Sequence, residues 1–429
     1  MSTIVSSEIN YTPVAKLHPN YRLDRVTQQF GADTFTFTAT GNNYSVFELP
    51  SVAFNLSKSF LSLDFQTPGA VGNYSQQFMA VLAAIRQIQF YDHNSVMMCN
   101  INNFDNYTRI IFNSDSSIEE LANGTPETPL FRNNGTKGAN VYGIRPGIGS
   151  SYTGMEQVYL SSGLDATYNP AQGTANPTKF RIPFSMFKNT IFALNKDLYF
   201  DDISFIRIVW NPYTKMGFTS VGTALGAPTP LAANIDVSNL YIYLAVETND
   251  KINSMLKQLV YSSGITTFFD YVQTQNYSLQ GASQTFTVKY GPGMGLRLKR
   301  IYWAQFYSVP PAVNVTYDIS NLNGSGILTF RTFLDKNRLI NYDIDCRPAA
   351  GYLDYMVMKD RLQGGAIQNR NIYQYNWFWC ESFDGMRFHE HDDNIEAGID
   401  ITARDREYNV VMNTDNDSYT YFVYAVTQR

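Results

Sequence analysis

The sequence predicts an all-β protein made of two tandem eight-stranded antiparallel jelly rolls, joined by a short helix and carrying long inter-strand loops. Three observations support this prediction. One central segment has a helical period and follows an apolar strand that resembles the strand at the C-terminus. Aromatic residues make up 15% of the chain and charged residues only 16%, a composition suited to half-buried strands and interfaces. Strand patterns of the two halves can also be aligned with each other.

The central helix is predicted over residues 249–260. Its apolar residues fall at i, i+3, i+4, i+7 and i+8, which places them on one face: Ile252, Met255, Leu256, Leu259 and Val260. Asn249 or Asp250 can cap the start, and Gly264 follows the end. We expect this face to pack against both rolls.

The position of this helix and the pattern around it predict four parts of the chain. They are an N-terminal arm (residues 1–30), a first jelly roll (31–248), a linker helix (249–264) and a second jelly roll (265–429). The first 30 residues show no clear period, so they are an extended arm or a disordered tail. Residues 113–178 are rich in Gly, Asn, Ser, Thr and Pro, and we interpret them as a long loop with short elements of its own.

Strands are predicted where apolar residues alternate or run together between turn signals. In the first half they are residues 33–40, 44–49, 59–65, 84–91, 96–100, 107–112, 179–187, 198–200, 204–210 and 240–247. In the second half they are residues 285–290, 296–306, 326–333, 352–359, 373–380, 395–403, 408–412 and 421–428. Some eight strands in each half favour a sandwich or jelly roll.

The two halves show a weak internal repeat. Setting Pro50 on Pro292 pairs three further positions: Leu56 with Leu298, Lys58 with Arg300, and Phe60 with Tyr302. At the other end, the Ala-Val dipeptide at 245–246 aligns with that at 425–426. The two alignments imply that the first copy is longer by about 62 residues, which is close to the length of the loop at 113–178.

Two stretches have the residue types of ligand sites. The glycine-rich residues 291–295 lack a G-K-[ST] ending and lead into a strand, so we interpret them as a turn between strands. His389 and His391 lie in a dense H-E-H-D-D cluster and would share one face of a strand, as metal ligands do. The surrounding Asp, Gly and Asn favour a solvated acidic loop, so no metal or other cofactor is predicted.

Catalytic patterns are weak, and no enzyme is predicted. The chain has four histidines and no G-x-S-x-G elbow. Cys99, Cys346 and Cys380 are widely spaced without a CxxC pair, which indicates reduced thiols and folding inside a cell. Neighbouring carboxylates such as Asp343 and Asp345 are what chance gives among 37 acidic residues.

Charge argues against direct nucleic-acid binding, because the net charge is −5. The longest basic cluster, Arg297, Lys299 and Arg300, has the alternation of a solvent-facing strand. No signal peptide and no segment of membrane-spanning length are seen. The aromatic run at 373–379 is either a sugar-stacking platform or, as we favour, part of a buried core.

Two local stretches resemble the double jelly-roll major capsid proteins of tectiviruses, adenoviruses, virophages, polinton-like viruses and nucleocytoplasmic large DNA viruses. Residues 181–187 (RIPFSMF), followed by FAL at 192–194 and an apolar strand at 206–210, are similar to a segment late in the first roll. Asn195 stands where the family has Pro. Residues 99–105 resemble a turn between middle strands of that roll. The resemblance covers residues 31–429, through architecture more than through motif.

The resemblance implies a structural major capsid protein whose homotrimers are pseudo-hexagonal capsomers of an icosahedral shell. Penton and minor or cement proteins would be partners, and the N-terminal arm would tie neighbours or touch an internal membrane. The chain would be made and assembled inside the host cell and end in the virion capsid. The alternative hypotheses are a viral spike or minor capsid protein, a carbohydrate-binding, lectin-like jelly roll, and an enzyme.

Overall fold

A computed structural model describes most of the chain. The described residues are 20–29, 34–37, 43–66, 73–76, 84–114, 158–159, 178–212, 217–220, 229–230, 235–307, 326–361, 377–383 and 398–429.

In the first half of the chain, the described residues form thirteen strands and one α-helix. The strands are β1 (Tyr21–Thr27), β2 (Phe35–Phe37), β3 (Tyr44–Leu49), β4 (Phe54–Gln66), β5 (Asn73–Gln76), β6 (Ile85–Tyr91), β7 (Met97–Asn102), β8 (Val158–Tyr159), β9 (Thr178–Pro183), β10 (Ser204–Trp210), β11 (Gly217–Ser220), β12 (Thr229–Pro230) and β13 (Ile235–Glu247). Helix α1 (Phe104–Ser114) follows β7.

Nine of these strands form the two facing sheets of roll 1, the eight of the jelly roll and the short β2. One sheet has the order β1-β13-β4-β9, with β2 added beside β13, and the other has the order β3-β10-β6-β7. All the pairs are antiparallel. Chain neighbours such as β3 and β4 lie in different sheets, which is the jelly-roll connectivity. A third sheet, β12-β11-β5-β8, is built from segments between the ends of the roll's strands.

Roll 2 repeats this plan, with ten strands and one α-helix among its described residues. The strands are β14 (Asp270–Gln280), β15 (Ser283–Tyr290), β16 (Arg297–Tyr307), β17 (Ile327–Leu334), β18 (Asn337–Arg338), β19 (Ile344–Asp345), β20 (Trp379–Ser382), β21 (Ile399–Asp400), β22 (Arg406–Thr414) and β23 (Ser418–Gln428). Their sheets run β14-β23-β16-β20 and β15-β22-β17-β18, with β21 beside β16 and β19 beside β17.

The predicted linker helix is present as α2 (Asp250–Ser262). The side chain of Asn249 caps it by accepting from the backbone N–H of Lys251. Ile252 and Leu256 are buried against Ala53, in a small cluster that also includes Tyr199 and Ile265. The helix therefore packs on roll 1 and the chain that follows it, whereas the sequence predicted packing against both rolls.

Each roll has an aromatic centre. In roll 1, Trp210 is buried and donates from its indole Nε1 to the Ser45 hydroxyl at 2.9 Å. In roll 2, Trp303 lies edge-on to Phe286 and Phe330, with ring centroids 5.7 and 5.2 Å apart. These rings come from both sheets of roll 2 and fill the space between them.

Two predicted strands are helices. Residues 107–112 lie in α1, and residues 352–359 lie mostly in α3 (Leu353–Arg361). In α1 the buried residues Phe104, Tyr107, Ile110 and Ile111 recur at helical spacing, which a short apolar run does not distinguish from a strand. Both helices occupy the same place in their rolls, between the fifth and sixth of the eight strands of the jelly-roll order: α1 follows β7 and precedes β9, and α3 follows β18 and precedes β20.

The predicted N-terminal arm extends too far. β1 pairs along its whole length with β13, from Tyr21 opposite Glu247 to Thr27 opposite Tyr241. These residues are the first strand of roll 1, and their period was weak because edge strands carry exposed polar side chains. Residues 1–19 lie outside the described residues, as do most of those in the predicted loop at 113–178.

Three smaller predictions also differ. Leu198 makes an isolated bridge to Phe54 and no strand. Only Ile399–Asp400 of residues 395–403 form a described strand. The alignment of Pro50 with Pro292 places the buried Phe47 of β3 on the exposed Lys289 of β15. Buried positions of the two strands coincide when this alignment is shortened by one residue, which places Phe47 on the buried Val288.

Candidate functional site

The two rolls are joined by an aromatic seam. The Tyr107 ring of α1 contacts the Tyr424 ring of β23, with centroids 5.2 Å apart. The Tyr424 hydroxyl donates to the backbone carbonyl of Asn103 at 3.0 Å, and the Tyr107 hydroxyl donates to the carbonyl of Lys188 at 3.0 Å. The end of β7 and the start of α1 in roll 1 therefore lie against the outer face of the roll 2 sheet that contains β23.

This outer sheet face of roll 2 is buried. Tyr302 and Tyr424 lie directly opposite each other on β16 and β23, and both are fully buried. Val272, Val426 and Arg300 on the same face are between 1% and 6% exposed. Burial raises the pKa of the Tyr424 hydroxyl, which therefore acts as a neutral hydrogen-bond donor in the seam.

The seam region also contains one of the three free thiols. Cys99 of β7 is buried, and this burial raises the pKa of its thiol. A thiol in this state packs as a small apolar group and is a poor nucleophile. Cys346 and Cys380 are likewise buried and free. The prediction of reduced thiols agrees with these positions.

Roll 1 presents the equivalent outer face, and there it is partly exposed. Phe60 and Tyr243 lie opposite each other on β4 and β13 with stacked rings, 4.9 Å between centroids. The Arg25 guanidinium lies 3.5 Å from the centroid of the Tyr241 ring. Leu23 on the same edge of the sheet is 49% exposed. A face of opposed aromatic pairs and arginine side chains has the composition of an interface.

Roll 2 also contains a buried polar network. Glu381 accepts from the Thr332 hydroxyl at 2.7 Å and from the Trp379 indole at 2.8 Å, and pairs with Arg361 at 2.8 Å. Asp354 accepts from the Trp377 indole at 2.8 Å. Burial is the main cause that raises the pKa of Asp354 to about 6. These carboxylates are held by core tryptophans and make no open, solvent-facing site.

Solved structures share this architecture over almost the whole chain. A chain of the Sputnik virophage structure has a TM-score of 0.55 at 13% identity and covers 96% of this chain and 85% of that one. A chain of the PBCV-1 virus capsid has a TM-score of 0.50 at 9% identity, with 97% and 95% covered. The Faustovirus major capsid protein has a TM-score of 0.50 at 11% identity, with 96% and 90% covered. The chain has the double jelly-roll fold of these structures. No family model and no curated relative matches it.

Several candidate residues have structural roles within this double jelly roll. Residues 291–295 are the turn between β15 and β16, as predicted. A Cβ on Gly291 would lie 1.8 Å from the Asp405 carboxylate, and Gly295 has φ +149° with its Cβ position 2.8 Å from the carbonyl oxygen of Gln428. Glycine is required at Gly295, where the positive φ and the backbone contact leave no room for a Cβ, whereas at Gly291 the exposed Asp405 side chain would have to turn away.

The basic cluster was assigned to the wrong environment. Lys299 and Arg300 are only 5% and 6% exposed, so they are not on a solvent face. Lys299 lies in a β-bulge of β16, where its ammonium pairs with Asp270 at 2.8 Å. The bulge interrupts the alternation from which exposure was predicted. Buried and paired, Lys299 does not offer a phosphate contact.

The candidate acids and metal ligands do not form a site in the described residues. Asp343 pairs with Arg338, and Asp345 pairs with Arg347 at 2.6 Å. Within the described ranges no group of three or more His, Cys, Asp or Glu residues could hold a metal ion. His389 and His391 lie outside the described residues. In the same ranges, none of the helices is long and apolar enough to cross a membrane.

The aromatic run contributes to the core where it is described. Trp377, Phe378 and Trp379 are fully buried, so these three rings offer no platform for a sugar. An open groove of about 430 Å³ lies on the other sheet of roll 1 and includes Tyr44 and Arg207. Arg207 lies 4.8 Å from the centroid of the Tyr44 ring and covers the face on which a sugar would stack.

Proposed function

We propose that this chain is a structural major capsid protein, whose homotrimers form pseudo-hexagonal capsomers of an icosahedral shell. The observation that carries the proposal is the repeat of one jelly-roll strand order in two rolls that are fixed together by the Tyr107–Tyr424 seam. Three such chains present six similar rolls, which fill the corners of a hexagon. The capsid chains that share the fold are virion components, and this likeness supports the same role here.

The proposal includes the division of the chain and its partners. Roll 1, the linker helix and roll 2 form the capsomer wall, with β1 now assigned to roll 1. Neighbouring capsomers, penton proteins and minor or cement proteins are the proposed partners. Residues before β1 are the proposed arm that ties neighbours or touches an internal membrane. Assembly takes place inside the host cell, and the role requires no catalysis.

The test is the mass of the purified full-length protein, measured by light scattering at rising concentration, together with electron microscopy of the same samples. We expect a stable trimer that builds sheets or shells as concentration rises. A strict monomer at every concentration would contradict the proposal. Quantifying the protein in purified particles separates a major capsid protein, which dominates the particle, from a spike or minor component.

A further inference from the structure

We propose that the outer face of roll 1 around Phe60 and Tyr243 binds helix α3 of a second copy of this chain. In this contact, Met356 of the neighbouring copy packs over the Phe60–Tyr243 pair. The inference rests on the proposed homotrimer and deepens it, because it assigns the two surfaces that meet between chains. It is derived from the seam that joins the two rolls within one chain.

The receiving faces of the two rolls are equivalent. The opposed pair Phe60–Tyr243 in roll 1 occupies the position of the opposed pair Tyr302–Tyr424 in roll 2, on the same strands of the jelly-roll order. Side chains that lie opposite each other on antiparallel strands share one face of the sheet. The roll 2 pair is fully buried beneath the seam, whereas Phe60 and Tyr243 are half-buried.

The covering elements are also equivalent. Helix α1 begins directly after Asn103, which has φ +52°, and helix α3 begins directly after Tyr352, which has φ +57°. In both helices the first turn closes on that residue. The N–H of Tyr107 donates to the Asn103 carbonyl at 3.1 Å, and the N–H of Met356 donates to the Tyr352 carbonyl at 3.2 Å. Met356 therefore occupies the position of Tyr107.

Tyr107 of α1 is buried on the buried roll 2 face, whereas Met356 of α3 is exposed, like the roll 1 face that we assign to it. Tyr107 packs on the roll 2 face and is 1% exposed, whereas Met356 is 56% exposed. A methionine is well suited to cover aromatic rings, because its thioether adapts its shape and interacts favourably with ring edges. By the same equivalence, the Tyr243 hydroxyl would donate to the Tyr352 carbonyl, as the Tyr424 hydroxyl donates to the Asn103 carbonyl.

Charge is compatible with this pairing. Arg25, Lys58 and Arg181 are exposed on or beside the receiving face. Lys359 and Asp360 are both exposed one helical turn beyond Met356, so this side of α3 carries one charge of each sign, and Asp360 is the one that complements the cationic face. The contact joins the roll 1 face of one copy to helix α3 of another. A growing chain of copies therefore always has one free face and one free helix at its ends, until a ring closes. A ring in which roll 1 and roll 2 alternate closes with three chains when the six rolls have hexagonal positions.

The first test removes the contact from an exposed position. We expect Met356→Asp to convert the trimer to monomers in sedimentation velocity, with an unchanged circular dichroism spectrum, because the side chain is exposed within one chain. The matched control is Val96→Asp, which places the same charge on a 57% exposed residue of the β6–β7 turn and leaves the trimer intact. Trimers of Met356→Asp that match the wild type in stability against dilution would overturn the assigned surface.

The second test detects the contact directly. In the full-length chain, the double variant Tyr243→Cys/Met356→Cys is treated with a short bismaleimide cross-linker and run on a denaturing gel. We expect covalent trimers from the double variant and monomers from each single variant, since the three native thiols are buried. Solution trimers that fail to cross-link would refute this surface and leave the proposed function standing. A wild-type protein that never forms trimers would refute the proposed function itself.

Discussion

Asp354 illustrates how single residues in roll 2 depend on their neighbours. It is fully buried, and its partner is the Trp377 indole rather than a cation. Burial without a compensating positive charge favours the protonated carboxyl, which explains the direction of its pKa shift. Glu381 is also buried but pairs with Arg361. One core therefore holds an acid with a cationic partner and an acid without one.

The Asp354 environment predicts a pH dependence of stability. Its pKa is 3.8 in the reference state and about 6 in the fold, so the folded state holds the proton more tightly. The resulting stabilisation is complete below about pH 4 and is lost as pH rises through about 6, a change of about 2–3 kcal/mol. Asp354→Asn cannot ionise and lacks this loss.

The measurement is urea unfolding of the wild type and Asp354→Asn at several pH values across that window. The difference in unfolding free energy between the two proteins isolates Asp354, because carboxyls such as Asp335 and Asp345, whose pKa values are lowered, are common to both. A difference that stays constant with pH would show that Asp354 is already ionised in the fold.

At the residue scale, composition and spacing predicted the structural roles of some residues but not of others. The glycine turn at 291–295 and the buried thiols were predictable, because turn chemistry and cysteine spacing are local signals. The burial of Lys299 was not, because a bulge changes which face a residue takes. The seam residues Tyr107 and Tyr424 were not predictable either, since their contact joins positions that are distant in sequence.

At the element scale, the long periodic segments were predicted well. The linker helix and the strands β15, β16, β17, β22 and β23 lie where the patterns placed them. The misassigned elements are α1 and α3, whose apolar runs are short enough to fit either period. Strand β14 was missed because most of its residues are polar and only Val272 is buried, so the apolar alternation that marks a strand is weak.

The linker helix provides the element-scale prediction. Leu256 is 2% exposed in the cluster with Ala53 and Ile252, so Leu256→Asp buries a charge in an apolar contact. We expect a loss of roughly 3–4 kcal/mol in unfolding free energy. The matched control, Leu259→Asp, changes a half-buried position of the same helix and should cost about 1 kcal/mol.

Urea unfolding of both helix variants checks this expectation. The effect should appear as a weaker roll 1 with the Tyr107–Tyr424 seam still in place, because the helix cluster and the seam are separate contacts. Equal losses from the two variants would contradict the packing described for α2, and no loss from Leu256→Asp would make the helix a simple spacer.

At the scale of the whole molecule, the repeat unites the fold and the proposed assembly. The same strand order, the same helix position and the same opposed aromatic pair recur in both rolls. One copy of the contact is made within the chain, and the other is left for a neighbour. The sequence alignment showed the repeat but missed the register by one residue in β3 and β15. It missed it by one residue again in β13 and β23, where the equivalence of Tyr243 and Tyr424 places Ala245 on Val426.

The N-terminal end of the chain provides the last prediction, which concerns assembly. Removing residues 1–19 leaves β1 paired with β13, so we expect a stable trimer with an unchanged melting temperature but impaired growth into shells. Removing residues 1–27 also deletes β1, exposes the backbone edge of β13 and takes away part of the receiving face around Arg25. That longer deletion should lower both stability and trimer yield.

Light scattering and electron microscopy of the two truncations separate these effects. Normal shells from the shorter truncation would remove the arm from assembly, and a lost trimer would show that residues before β1 belong to the capsomer itself.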